Sequence, residues 1–181
     1  MKKMLPYVFT IFFPYYMVLL ICSLFSHHIM KYVFHDNFYL GILYLFILWV
    51  IALISVIVFN VKHLMKKTEA VKVASINMVI KIAQIPAYVF IFVAGLACLL
   101  TIFTFGISIV FVILDCASIF LSGLVGVSAV MRCHEEGILG KTEMVVYCVL
   151  QFVFCLDVVS SIIMYRKAKV KNPTILTGGN K

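Results

Sequence analysis

The stretch that decides the fold is Gly106 to Met131, GISIVFVILDCASIFLSGLVGVSAVM. About 20 apolar residues rising about 1.5 Å each cross a hydrocarbon core of about 30 Å, and this run is long enough. It holds one acid, Asp115. At about 100° per residue, Ser108, Ser118, Ser122, Gly126 and Ala129 share the face of that acid, and the opposite side is Val, Ile, Leu and Phe. The stretch is therefore expected to turn a greasy side to lipid and a small, polar side to other helices, with Ser122 and Gly126 as helix-packing positions.

The rest of the chain has the same character. Of its 181 residues, 65% are hydrophobic and 12% charged, against roughly half apolar in a soluble domain. A fold of this length has too little interior to hide that much apolar surface, which excludes a soluble globular enzyme. Fifteen Lys and Arg against seven Asp and Glu give a net charge of +8. In a membrane chain that excess marks loop orientation and contact with anionic lipid head groups. No nucleic-acid partner is expected, because the bases form no recognition motif. The six cysteines make no CxxC and five lie in apolar runs, where Cys acts as a small hydrophobe.

Five apolar segments follow: about 5–25, 38–59, 85–105, 106–131 and 144–165. The first opens like a secretory signal after Met1-Lys2-Lys3. It is too long, carries Pro14 and lacks a small-x-small site, so a retained span is expected. Between the second and third lies a basic link, Asn60 to Gln84, with Lys62, Lys66, Lys67, Lys72 and Lys81. Val61, Leu64, Met65, Val71, Val79 and Ile82 share one side of its wheel, which predicts a basic amphipathic helix lying on an anionic membrane surface. Pro86 then suits the first turn of the third span. Segments three and four are too long together for one crossing, so a tight hairpin is expected at Thr104-Phe105-Gly106. The tail 172–181 reads as mobile.

The fold expected is all-α: a single-domain polytopic transmembrane helical bundle of four or five spans. With five spans and the N-terminus inside, the basic tail (Arg166, Lys167, Lys169, Lys171, Lys181) falls outside, against the rule that places Lys and Arg in the cytoplasm. With four spans both ends are cytoplasmic, and one of the last three segments is re-entrant or interfacial.

Chemistry has few places to reside. Asp115 and Asp157 are the acids deep in apolar segments, each followed three residues on by serine, Ser118 and Ser160, with Ser161 beside the second. No Lys or Arg lies in those segments with them. These five residues form a candidate intramembrane polar site. The two acids serve either as neutral hydrogen-bonded glue between helices, the favoured reading, or as a shared proton or cation site. His27, His28, His35 and Asp36, and the run Cys133-His134-Glu135-Glu136, contain metal-ligand types in irregular links, and no metal or cofactor is assigned to them. Glu135-Glu136 lacks the arginine of intramembrane CAAX-type proteases. Ser122-Gly123 lacks the preceding Gly-x of rhomboid-type proteases, and no membrane-embedded His is present to act as base. No enzyme is expected.

The runs GLACLLTIFTFGISIVFVILDCASIFLSGLVGVSAV and LQFVFCLDVVSSIIMYRK resemble small polytopic membrane proteins of low-GC Gram-positive bacteria that have no assigned activity. The resemblance covers the C-terminal two-thirds and implies a multi-pass protein of the bacterial cytoplasmic membrane. Two roles follow as expectations. One is an accessory, regulatory or immunity-type partner of a larger membrane complex. The other is a small oligomeric ion-coupled carrier or channel using Asp115 and Asp157. A protein partner or a homo-oligomer is implied in either case.

Overall fold

A computed structural model describes residues 5–24, 26–100 and 104–171; the tail read as mobile lies outside them. Among the described residues every element is a helix: α1 Leu5–Leu24, α2 His27–Val33, α3 Phe38–Met65, α4 Ala70–Leu99, α5 Phe105–Glu135, α6 Lys141–Leu150 and α7 Leu156–Lys171. Three are long and apolar enough to cross a membrane: α3 over Tyr39–Met65, α4 over Ala70–Leu99 and α5 over Phe105–Glu135. A fourth crossing requires α1 and α2 together, a pair bent by 95°. The contacts sort the chain into two compact units, Met1–Ser55 with Gln84–Ser118, and Val56–Ala83 with Ile119–Lys181.

In the first unit, α3 is started by Asn37, whose Oδ1 accepts the Tyr39 N–H at 3.0 Å. Gln84 Nε2 donates to Thr10 O at 2.9 Å, and Tyr88 Oη donates to Gln84 Oε1 at 3.0 Å, which ties α1 to α4. The interruption between α4 and α5 lies just ahead of the expected turn, since Phe105 and Gly106 are already helical. α4 ends at Leu99, Thr104 Oγ1 donates to Cys98 O at 2.7 Å, and α5 begins at Phe105. Ser108 donates to Gly95 O at 3.0 Å. A Cβ at Gly95 would meet Phe111 Cβ at 3.7 Å, an ordinary van der Waals contact.

The second unit departs from expectation twice. The basic amphipathic helix does not exist as an element. Its residues are divided between the end of α3 and the start of α4 by a turn at Lys66–Glu69, with Lys67 at φ 46°. The predicted apolar face is not the one that packs: Val61, Met65, Val79 and Ile82 are exposed, whereas Ala70, Val73 and Ala74 pack with Ala129, Val130 and Cys133 of α5 and Met164 and Ala168 of α7, all fully buried. α4 runs unbroken from Ala70, and Pro86 lies inside it instead of in a first turn.

The second departure is the fifth segment. It is two short helices with a break at residues 151–155, where Cys155 takes φ 64°. At about 1.5 Å per residue, α6 with 10 residues and α7 with 16 reach about 15 and 24 Å, each short of a bilayer core. They fold back on each other. Glu143 in the first turn of α6 pairs with Lys167 in α7 at 2.6 Å, and Lys167 Nζ sits 5.5 Å over the Tyr147 ring. The Lys171 ammonium donates to Gly137 O in the loop ahead of α6. Gly137, at φ 68°, ends α5.

Arg132 fastens the α3–α4 turn to the end of α5. It is 4% exposed, donates to Thr68 O at 2.7 Å, and pairs with Glu135 and Glu136. Glu136 Oε1 also accepts the Ala70 N–H at 2.7 Å, capping the N-terminus of α4. Glu136→Ala is expected to destabilise the protein by about 1–2 kcal/mol, because it removes a helix cap and a partner of a buried guanidinium. Glu69→Ala removes an exposed pair with Lys72 and is expected to cost under about 0.5 kcal/mol. Unfolding in mixed detergent micelles measures both.

Candidate functional site

The site lies in the second unit and is built around Lys81. One turn of α4 presents Asn77 and Lys81 on one face. The Lys81 side chain is fully buried, yet each of its three donors has an acceptor: Asp157 Oδ2 at 2.7 Å, Ser122 Oγ at 3.0 Å and Gln151 O at 3.3 Å. Asp157 is equally enclosed at 2% side-chain exposure. Its second oxygen accepts the Val158 N–H at 2.8 Å.

The break between α6 and α7 makes this geometry possible. Gln151 ends α6, so its carbonyl has no helical donor and takes Lys81 instead. Asp157 sits in the first turn of α7. The ammonium thus meets the negative end of one short helix and the carboxylate meets the positive end of the next, both favourable. The Gln151 side chain bridges the break: Nε2 donates to Ser160 Oγ at 3.1 Å, and Oε1 lies 3.2 Å from Ser161 Oγ and 3.4 Å from Asn77 Nδ2. Asn77 Nδ2 also donates to Ser161 Oγ at 2.8 Å. The Ser160 and Ser161 hydroxyls lie 3.0 and 2.7 Å from Asp157 O, back along their own helix.

Two glycines of α5 admit this plug. A Cβ at Gly126 would stand 2.7 Å from Gln151 Cγ and closer still to its amide; one at Gly123 would stand 2.7 Å from the Phe152 ring and 3.0 Å from Gln151 O. Gly126 thus faces the break residue Gln151, and the Ser122 hydroxyl accepts from Lys81.

Of the five residues the sequence singled out, Asp157, Ser160 and Ser161 are joined in this cluster. Asp115 and Ser118 belong to the first unit. Asp115 lines a cleft of about 150 Å³ among Ile91, Phe92, Gly95, Ser108 and Phe111, and Ser118 is buried. Sequence reasoning missed Lys81 and Asn77, assigning the lysine to a solvated basic face. A signal was present: Asn77, Lys81, Gln84 and Tyr88 recur at helical spacing on one face of an otherwise apolar run. The run Cys133 to Glu136, read from sequence as an irregular link, instead forms the end of α5 up to Glu135 and the residue after it, with its two acids on Arg132.

The chemistry of this arrangement is charge neutralisation without water. Away from the cluster, at the open end of the α6–α7 pair, the hydrogen bond between Glu143 and Lys167 holds the carboxyl below its ordinary range and the ammonium above it. No protein family, curated protein or solved structure matches the chain.

An isolated neutral acid would tolerate amidation, but an acid facing a buried lysine does not. Asp157→Asn leaves an uncompensated buried ammonium and is expected to cost about 3–5 kcal/mol, as is Lys81→Met for the carboxylate. The double variant Lys81→Met/Asp157→Asn is expected to recover most of the loss. A double-mutant cycle of detergent unfolding measures the coupling, and additive single effects would disprove it.

Proposed function

We propose that the chain is a small multi-pass protein of the bacterial cytoplasmic membrane that acts as an accessory or regulatory partner of a larger membrane complex. The observation that carries this reading is the closure of the polar cluster. Lys81 and Asp157 neutralise each other at 0% and 2% side-chain exposure, and Ser122, Gln151, Asn77, Ser160 and Ser161 are engaged with them or with one another. A permeation or catalytic site needs polar groups that a substrate reaches, whereas this one is occupied in holding the fold together. The long apolar faces are what remain for partners: in the span of α3, only 17% of residues are buried within the chain.

The topology that goes with this reading has four crossings, with the bent pair α1–α2 as the first and α3, α4 and α5 following, and α6–α7 as a re-entrant hairpin. Both ends then lie in the cytoplasm. The positive-inside rule supports it, because Lys62, Lys66, Lys67, Lys72, Lys141, Arg166, Lys167, Lys169 and Lys171 all belong to the second unit, and Lys31 is the one described base of the first. A reporter fused after Lys171 is expected to read as cytoplasmic; a periplasmic signal would restore the five-span arrangement.

The carrier reading draws on one specific feature. Short helices meeting at a charged pair are a common way to build an ion site inside a membrane. Reconstituted liposomes separate the two. The accessory reading predicts proton and Na⁺ flux no greater than in empty vesicles, and a stoichiometric foreign subunit in the intact mass of the complex extracted from native membrane. Flux that disappears in a folded Asp157→Asn protein would overturn it.

A further inference from the structure

The α6–α7 hairpin has an open side that the cluster does not use. Between the two helices runs a cleft of about 310 Å³ whose apolar walls are Val146, Leu150, Leu156, Val159 and Ile163. It continues into a groove of about 700 Å³ bearing Arg166, Lys167 and Lys171, and Glu143 and Ile163 line both. The surface therefore changes along its length from apolar to basic. Glu143 is the one acid in it and is taken by Lys167. Lys171 is turned to Gly137 O. Arg166 is exposed, and among the described residues no carboxylate pairs with it.

We infer that the α6–α7 groove is a binding site for one anionic phospholipid, with its phosphate on Arg166 at the basic end and an acyl chain lying along Val146, Val159 and Ile163. The two halves of the groove fit the two halves of such a molecule. A guanidinium binds a phosphate through two parallel N–H donors, and Lys167 and Lys171 add positive charge beside it. The apolar cleft suits a hydrocarbon chain and offers an acidic peptide nothing to bind. A short helical pair that does not cross the bilayer leaves room above or below itself, and a lipid held in the groove fills part of that space. The inference rests on the chain being in a membrane and is independent of the accessory role, so a missing protein partner would leave it standing.

Native mass spectrometry of the protein in a neutral detergent tests it, with phosphatidylglycerol or phosphatidylcholine added in turn. Wild type is expected to retain one phosphatidylglycerol and to bind phosphatidylcholine about tenfold more weakly, because the choline cation offsets the phosphate charge and is repelled by Arg166, Lys167 and Lys171. Arg166→Gln changes an exposed residue, so the fold is kept, and it is expected to reduce phosphatidylglycerol retention by a similar factor. Ile163→Trp, or Val146→Trp if the first unfolds, fills the cleft and is expected to release the lipid with no change in charge. Lys66→Gln/Lys67→Gln removes charge from the same unit outside the groove and is expected to leave retention unchanged. Equal losses in that control and in Arg166→Gln would show a diffuse surface effect and overturn the site. So would equal binding of the two lipids, or displacement of phosphatidylglycerol by an acidic peptide.

Discussion

The second unit depends on one ion pair, Lys81 with Asp157. Transferring either charge alone from water to a low-dielectric interior costs several kcal/mol even after relaxation. The pair is tolerable because each partner has further help. Lys81 fills its remaining donors with Ser122 and Gln151, and Asp157 takes the Val158 N–H in the first turn of its own helix and lies at the positive end of that helix. Neither residue can be understood alone. The lysine explains why a carboxylate can sit at Asp157, and the carboxylate explains why α4 carries a lysine among Val79, Ile80, Ile82 and Ala83.

The same pair accounts for the broken segment. Residues 144–165 contain no proline or glycine, so local propensity does not demand an end to the helix. A continuous helix would satisfy the Gln151 carbonyl internally and leave the Lys81 ammonium one acceptor short. Ending α6 at Gln151 exposes that carbonyl to the ammonium, and the chain resumes with Asp157 already in place. Gly123 and Gly126 supply the space, since side chains there would collide with Phe152 and Gln151. Irregular backbone in an apolar interior is tolerated where protein groups satisfy it, which is what the buried lysine does for the Gln151 carbonyl.

What was legible from sequence follows from this. The long helices α3, α4 and α5 could be read because hydropathy over a window reports burial in lipid or protein without distinguishing them, and their hairpin fell at the one interruption around Thr104. The amphipathic link was misread for the same reason. Its wheel put Val61, Leu64, Met65, Val71, Val79 and Ile82 on the apolar face, yet Val61, Met65, Val79 and Ile82 stay exposed, and periodicity gave no sign that the small residues beside them are what other helices cover. Ala70, Val73 and Ala74 are covered by α5 and α7, which are more than fifty residues away in sequence. Asp157, Ser160 and Ser161 were found because one helix carries them at i, i+3 and i+4. Lys81 was missed because its partner is on another element, and a single chain offers no local signal for a tertiary pair.

Charge then links the fold to its surroundings. A continuous fifth helix would carry Arg166, Lys167, Lys169 and Lys171 away from the other bases, whereas a helix pair that folds back returns them to the unit that already holds Lys62, Lys66, Lys67 and Lys72. Two independent contacts hold that return, Glu143 with Lys167 and Lys171 with Gly137 O, and both lie at the open end, opposite the break. The buried pair draws the tip of the hairpin into the bundle, and the surface contacts gather its ends. An interior charge interaction thereby decides where the exterior charges sit.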